Sequence, residues 1–274
     1  MIPRTRRTSL LLTLTARVAG WPAAALAQIA YSPDVTVSLS GTVVADEDAA
    51  VDDLAGTVGL ADLGTLPAAT EVDAYSVDGS DRLFSLDTTT QLTGGLVAVP
   101  ADVVRYDGAT YTLAFDSLAA GVPDGANVDA VSIAGTGLYL SFDTTVDLGS
   151  GVTPADEDLV LFTGGGFVIA FDGSAAGLDP ALDLDAANVQ PDGSFVLSLD
   201  QAGTIGGVVF DDDTVLIHDG STWAVAVDAS DQDAGFGAAD LVAVPEPGVG
   251  PGLVLGAAAL VSGVRPVRER SVHR

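Results

Sequence analysis

The sequence predicts an all-β protein of four units of about 56 residues, folded as a four-bladed β-propeller. The first observation behind this prediction is a short motif that recurs at Val72, Val128, Leu184 and Ala239, at spacings of 56, 56 and 55 residues. The second is that each unit contains four short apolar runs with the two-residue alternation of β-strands. The third is the Asp-Gly or Gly-Gly turn between the third and fourth runs, which is typical of short hairpins.

The chain begins with a stretch typical of a secretory signal peptide, residues 1–27. Arginines near the N-terminus precede an apolar stretch, and Ala25 and Ala27 form a small-x-small cleavage site before Gln28. We therefore expect the protein to be exported, with an all-β repeat domain at residues 31–244.

The first repeat unit is incomplete at its N-terminal end. Residues 35–67 match the second to fourth runs of the repeat, and the missing first run stands at the other end of the domain, as residues 239–244. A C-terminal strand that completes the N-terminal sheet would close a ring of blades and remove its exposed edges. The predicted units are therefore 31–71 with 239–244, 72–127, 128–183 and 184–238. An open solenoid or a two-sheet sandwich of the same units is the alternative.

The repeat domain is strongly acidic. Between Gln28 and Pro247 the only Lys or Arg residues are Arg82 and Arg105, against 37 acidic residues, which gives a formal charge of −35. Such a domain repels nucleic acid and anionic lipid and attracts cations, although a halophilic or high-GC origin would produce the same bias. The absence of cysteine excludes disulfides, thiolate metal sites and cysteine nucleophiles.

Aspartates recur in or beside the first run of each unit, as Asp73, Asp129, Asp185 and Asp240. The first strand of a propeller blade lines the axis, so these four carboxylates are expected around one mouth of the channel. Their mutual repulsion would be relieved by protonation or by a cation. Ca²⁺ is the candidate ligand because the chain offers hard oxygen donors. The alternative is that each Asp caps a turn.

A second set of aspartates, Asp48, Asp102, Asp158 and Asp213, stands just before the third run. His218 occupies the position that Tyr106 and Phe162 hold in other units, so we interpret it as a structural residue. The glycines at 164–166 indicate a hairpin turn, because no lysine follows them as in a phosphate-binding loop. We therefore expect no catalytic residues.

The alternative is a carbohydrate-active enzyme, a glycoside hydrolase or lyase that uses paired carboxylates. Acidic residues that recur in every unit favour a structural protein, because the two catalytic acids of a hydrolase should stand at positions that are not repeated in the other units.

Residues 245–274 form a separate C-terminal segment. An uncharged helix is predicted over 249–264, slightly short for a bilayer span of about 20 residues, and the basic tail 265–274 follows it. Pro245, Glu246 and Pro247, the apolar helix and the arginines together resemble the PEP-CTERM sorting signal. That resemblance implies recognition of Pro245, Glu246 and Pro247 by the membrane protease exosortase. An ordinary tail anchor after a Pro-rich linker is the alternative.

The resemblance also implies a route for the protein: a membrane-anchored intermediate at the inner membrane, followed by the cell surface or an extracellular matrix rich in polysaccharide. We therefore expect an exported structural, adhesive or binding protein. Exosortase, the export machinery and extracellular polysaccharide are its expected partners, and Ca²⁺ is its candidate cation. No nucleic acid is expected among the partners.

Overall fold

The computed structural model describes residues 28–33, 35–68, 70–229 and 241–244. Four antiparallel sheets of four strands form a four-bladed β-propeller, which confirms the predicted fold. From the axis outwards, blade 1 consists of β22 (Leu241–Val244), β1 (Ile29–Pro33), β4 (Ala50–Asp52) and β5 (Val58–Leu60). In the other three blades the strands follow one another from the axis outwards in chain order.

The blade strands have the following bounds. Blade 1 contains β1 Ile29–Pro33, β4 Ala50–Asp52, β5 Val58–Leu60 and β22 Leu241–Val244. Blade 2 contains β6 Tyr75–Asp78, β7 Asp81–Phe84, β10 Val103–Tyr106 and β11 Tyr111–Phe115. Blade 3 contains β12 Ala130–Ala134, β13 Gly137–Ser141, β14 Leu159–Phe162 and β15 Phe167–Phe171. Blade 4 contains β16 Ala186–Val189, β17 Phe195–Ser198, β20 Thr214–His218 and β21 Trp223–Asp228.

Small accessory elements lie outside the four sheets. The connections between second and third strands carry the hairpins β2 Val37–Leu39 with β3 Thr42–Val44, β8 Thr90–Gln91 with β9 Val97–Ala98, and β18 Gly203–Ile205 with β19 Val208–Phe210. One-turn helices follow the outer strands of blades 2 and 3, α1 Ser117–Ala120 and α2 Gly173–Ala176. Each begins after an aspartate, Asp116 or Asp172, whose carboxylate accepts a backbone N–H of the first turn.

The C-terminal strand closes the ring. β22 pairs antiparallel with β1, placing Val244 opposite Ala30 and Leu241 opposite Pro33, and β1 pairs in turn with β4. The N-terminal blade thus receives its innermost strand from the end of the domain, as the repeat pattern predicted.

The second strand of blade 1 differs from the sequence alignment. The alignment placed it after Val35, whereas the structure places it at β1, and the residues from Val37 to Val44 form the separate hairpin β2-β3. The overlooked signal is a serine followed two residues later by an aspartate, which ends the second strand in every unit. The serines are Ser32, Ser85, Ser141 and Ser198, all buried.

The hydrophobic core lies between neighbouring blades rather than within a single one. Each of the four clusters draws buried side chains from two adjacent blades, and the last cluster joins blade 4 to blade 1. Representative residues are Ala30 and Phe84 for blades 1 and 2, Phe115 and Leu140 for blades 2 and 3, Phe171 and Leu197 for blades 3 and 4, and Tyr31 and Val196 for blades 4 and 1. Because each core lies between two blades, opening the ring would expose apolar side chains of two blades to water.

The two ends of the propeller differ in construction. At one end, which we call the hairpin end, tight turns join first to second strands and third to fourth strands, as at the Asp78–Asp81 and Tyr106–Tyr111 pairs. At the other end, the mouth end, the innermost strands begin and the longer connections run. Ile29 and Val244, where the described part of the domain starts and stops, both lie at the hairpin end.

Removal of β22 is expected to abolish cooperative folding. A chain that stops at Asp240 leaves the inner edge of β1 unpaired and opens the core between blades 4 and 1, whereas a chain that stops at Val244 keeps the ring. We expect a cooperative thermal transition, followed by near-ultraviolet circular dichroism, in the longer chain and none in the shorter one. Equal melting temperatures would show that β22 does not close the ring.

Within the part of the chain that the structure describes, no helix has the length and apolarity needed to cross a bilayer. The predicted signal peptide 1–27 and the predicted helix 249–264 lie outside the described residues.

Candidate functional site: an acidic mouth

Three of the four predicted axial aspartates lie at the same end of the ring. Asp73, Asp129 and Asp185 stand just ahead of the innermost strands β6, β12 and β16, and all three lie at the mouth end. Asp240 lies outside the described residues, as do Ala25, Ala27, Pro245, Glu246 and Pro247. The name "acidic mouth" is used below for Asp73, Asp129, Asp183 and Asp185 together with Asn127.

The segment that carries each axial aspartate is fixed to the preceding blade. The residue just before the aspartate is buried and apolar, and its backbone N–H donates to a carbonyl at the mouth end of the previous blade. The bonds run from Val72 to Asp46 (3.1 Å), from Val128 to Pro100 (3.2 Å) and from Leu184 to Asp156 (3.3 Å). Each aspartate is thus held at the junction of two blades.

The same segment is also fixed to its own blade by a set of aspartates that the sequence analysis did not single out. Asp87, Asp143 and Asp200 follow the second strands, and their carboxylates accept backbone N–H bonds of 2.8, 2.9 and 2.8 Å from Glu71, Asn127 and Asp183. Return bonds from their own N–H groups complete each link. These carboxylates cap turns, so the capping interpretation describes this set well.

The aspartates before the third strands also cap turns. Asp48, Asp102 and Asp158 accept the backbone N–H three residues upstream at 3.1, 3.1 and 3.0 Å. Asp102 and Asp158 use their other oxygen to accept the N–H of Ser117 and Gly173, both at 2.9 Å, at the first residues of α1 and α2. Nothing in these contacts requires a ligand.

The axial set has a different electrostatic character. Burial raises the pKa of Asp129 to about 10, with further repulsion from Asp183, Asp143, Asp73 and Asp185. Burial also raises the pKa of Asp183 to about 7, with repulsion from Asp156 and Asp200. These two groups lie near other carboxylates with few hydrogen-bond donors to support their charge. Burial also raises the pKa of the capping residue Asp158, but two backbone N–H bonds oppose that effect.

Asn127 provides a side-chain bond between two of these segments. Its amide donates to the Asp73 carboxylate across the boundary of blades 2 and 3. This bond opposes the effect of burial, which raises the pKa of Asp73 only to about 6. The position two residues before the axial aspartate is occupied by Glu71, Asn127 and Asp183 in successive units. This recurrence is the sequence signal that marks Asn127 and Asp183 as neighbours of the axial aspartates.

Several oxygen atoms of the acidic mouth are buried without a hydrogen-bond partner among the described residues. They are Oδ2 of Asp129, Oδ1 of Asp183 and Oδ1 of Asn127. A buried carboxylate oxygen without a donor is costly. A proton or a bound cation would remove that cost, and carboxylate and amide oxygens are ligands that Ca²⁺ accepts.

No basic residue of the repeat domain is available as a counter-ion. Between Gln28 and Pro247 the sequence holds two arginines and one histidine, and all three lie at the hairpin end. Arg105 pairs with Asp78 and Asp81 at 2.8 and 2.7 Å, and Arg82 donates to the Ser80 carbonyl at 3.1 Å. The charge of the mouth therefore has to be balanced from solution.

The aromatic side chains at the hairpin end pack in the core, as the alternation predicted. Pairs across the third and fourth strands repeat with ring centroids 4.8, 4.9 and 4.6 Å apart in Tyr106–Tyr111, Phe162–Phe167 and His218–Trp223. His218 replaces an aromatic ring in this arrangement, and burial lowers its pKa. The glycines at 164–166 form the turn between β14 and β15, where Thr163 bonds to the Gly166 carbonyl.

Among the described residues, Asp211, Asp212 and Asp213 form a group whose carboxylate oxygens are close enough to share a single ion, and the carboxylates of the acidic mouth do not form such a group. Carboxylate oxygens of Asp211, Asp212 and Asp213 lie within 4.8 Å of one another just before β20. The hydroxyl of Thr214 donates to Asp211, and the backbone of Thr214 bonds back to the Asp211 carbonyl at 3.1 Å, as in a turn. This cluster belongs to a single blade and lacks the inter-blade geometry of the acidic mouth.

Comparison with known proteins found structural similarities at low sequence identity and low TM-score. No protein-family model and no curated protein matches the sequence. The extracellular domain of BT4673 from B. thetaiotaomicron is similar at 9% identity over 70% of this chain and 27% of that chain, with a TM-score of 0.30. YCF48 bound to D1 peptide is similar at 9% identity over 72% and 82% of the two chains, also with a TM-score of 0.30. Trypanosoma rangeli sialidase is similar at 16% identity over 71% and 33%, with a TM-score of 0.28.

Proposed function

We propose that the protein is an exported, non-enzymatic propeller that binds a divalent cation, Ca²⁺, in its acidic mouth. Through that cation it contacts polysaccharide at the cell surface or in the extracellular matrix. The observation that carries the proposal is that Asp73, Asp129 and Asp185 come from three different blades to the same end of the ring, where Asp129 is repelled by the other two and no basic residue of the repeat domain lies.

The chemistry of the donors supports a hard cation. Carboxylate and amide oxygens from several blades can supply part of the six to eight ligands that Ca²⁺ takes, and water or a ligand supplies the others. A cation at a channel mouth with open positions could bind hydroxyl or carboxylate oxygens of a sugar polymer. The bound ion would then act as the bridge between an acidic protein and an acidic polymer, which otherwise repel each other.

The sequence of the tail supports export and surface location. Pro245, Glu246 and Pro247, the apolar stretch 249–264 and the arginines after it resemble a PEP-CTERM signal, and residues 1–27 resemble a signal peptide. We propose that the tail holds the protein at the inner membrane until exosortase acts on it. Intact-mass measurement of the exported protein tests this step, because processing removes about 25 to 30 residues from the C-terminus, a length set by the position of Pro245.

Calorimetric titration of the chelator-treated protein with CaCl2 tests the cation site. We expect saturable binding that is tighter for Ca²⁺ than for Mg²⁺, because a wide site made by separate blades suits the larger ion. Binding should also release protons, since Asp129 is protonated at neutral pH when no ion is bound. Titration in two buffers of different ionisation enthalpy measures that release. The absence of both binding heat and proton release would contradict the cation site.

A further inference from the structure

We propose that the propeller is restricted in orientation while its tail is in the membrane: the hairpin end lies nearer the bilayer, and the acidic mouth cannot turn towards it. This inference rests on the proposed anchoring by residues 249–264, but it concerns which end of the domain is presented outwards. It makes the mouth an outward-facing interaction surface whose partner is a soluble or matrix component rather than the bilayer.

Strand direction is the first observation. β22 begins at the mouth end, where Leu241 pairs with Pro33, and finishes at the hairpin end, where Val244 pairs with Ala30. The chain beyond Val244 therefore leaves the domain from the hairpin end. β1 runs in the opposite direction, so the chain before Ile29 joins the domain at the same end.

The length of the connection is the second observation. Five residue steps separate Val244 from Val249, the first residue of the apolar stretch. Whatever their conformation, they span at most about 18 Å, because an extended chain covers about 3.3–3.6 Å per residue. The apolar stretch therefore starts close to the hairpin end.

A mouth turned towards the bilayer would require a longer connection. From the innermost strand, the chain would have to cross a blade of four strands, about 14 Å at the usual strand spacing of about 4.8 Å. It would then have to descend the blade, about 17 Å for a strand of about five residues at about 3.3 Å each. The path of about 31 Å exceeds the reach of about 18 Å.

The charges agree with this orientation. The acidic groups of the mouth would be repelled by anionic lipid, and an outward orientation removes them from the membrane surface. Both arginines of the repeat domain lie at the hairpin end, where Arg105 neutralises part of the charge of Asp78 and Asp81.

Lipid-surface quenching of single labels tests the orientation, because the natural chain has no cysteine. The full chain with one cysteine is labelled with a fluorophore and anchored in vesicles that contain a headgroup nitroxide quencher. Ser80→Cys in blade 2 and Thr136→Cys in blade 3 report on the hairpin end. Thr89→Cys and Thr145→Cys report on the mouth end of the same two blades, and all four positions are exposed.

We expect several-fold stronger quenching at the hairpin-end positions than at the mouth-end position of the same blade. A Gly/Ser linker of about 20 residues inserted after Val244 should remove the difference, because it reaches about 25 Å with a flexible path. Equal or reversed quenching in vesicle-bound protein overturns the orientation alone. Failure of the full chain to co-float with vesicles overturns both the orientation and the proposed anchoring, and leaves the cation site unaffected.

Discussion

Asp129→Asn is expected to raise the melting temperature of the metal-free protein at neutral pH and to remove most of its stabilisation by Ca²⁺. In the metal-free wild type, folding must either bury a charged carboxylate or take up a proton, because burial raises the Asp129 pKa to about 10. Asparagine keeps the shape of the side chain and needs no proton, so the cost disappears. Since each pKa unit corresponds to about 1.4 kcal/mol, the gain should be several kcal/mol.

The same substitution removes a charged ligand from the mouth. The melting temperature should therefore respond to saturating Ca²⁺ in the wild type and respond far less in Asp129→Asn. Thermal unfolding with EDTA and with excess CaCl2, at fixed ionic strength, measures both effects.

Asp192→Asn is the matched control for this experiment. Asp192 is exposed in the turn between β16 and β17, at the hairpin end, and its Oδ1 accepts the Ser194 N–H at 3.0 Å. Asparagine retains that acceptor and makes the same change in formal charge. Asp192→Asn should respond to Ca²⁺ as the wild type does. If both variants lost the response equally, general charge screening rather than a site in the mouth would explain it.

The stability of the metal-free protein is expected to fall as the pH rises from about 4 to about 8. Asp73 and Asp183 have folded-state pKa values of about 6 and about 7, above the ordinary value of 3.8. Over this window the folded protein binds more protons than the unfolded chain, so the free energy of unfolding decreases as pH increases. Asp73 alone would contribute at most about 3 kcal/mol between the two limits, at about 1.4 kcal/mol per pKa unit.

Urea or thermal unfolding across this pH range, with EDTA present, tests the sign. Saturating Ca²⁺ should flatten or reverse the trend, because the ion binds the deprotonated carboxylates and its affinity rises with pH. Below about pH 4 the trend should reverse, as turn-capping aspartates such as Asp107 and Asp219, whose pKa values are lowered by backbone N–H bonds, begin to take up protons. A metal-free protein whose stability rises steadily from pH 4 to pH 8 would contradict the assignment of strained carboxylates to the mouth.

The proposed orientation and the proposed cation site are compatible with each other. A ring closed by its last strand places its acidic end on one side and both chain ends on the other. While the tail is anchored, the mouth would be available to matrix components and distant from the membrane. The apolar stretch begins only five residues after the closing strand, so the orientation is a consequence of strand direction and chain length rather than of any specific contact with lipid.

The sequence by itself determined the repeat and its four units and predicted a closing C-terminal strand, whereas the choice between a closed ring and an open solenoid or sandwich was decided by the pairing of β22 with β1. These features follow from sequence patterns, since the motif that recurs every 56 residues and the two-residue alternation of apolar side chains are both visible in the sequence. The register of the first unit could not be obtained in the same way. Residues 35–40 resemble a second strand in composition, and only the pairing of β1 with β22 and β4 shows that Ile29–Pro33 holds that place.

The tertiary structure alone decided which aspartates cap turns and which are strained. Asp87, Asp129 and Asp158 have the same chemistry in the sequence, and all three recur with the repeat. Asp87 and Asp158 accept backbone N–H bonds, whereas Asp129 meets carboxylates from other parts of the ring. The physical reason is that a pKa depends on burial and on neighbours from other blades, and these neighbours are about 55 residues away in the chain and close together only once the ring has closed.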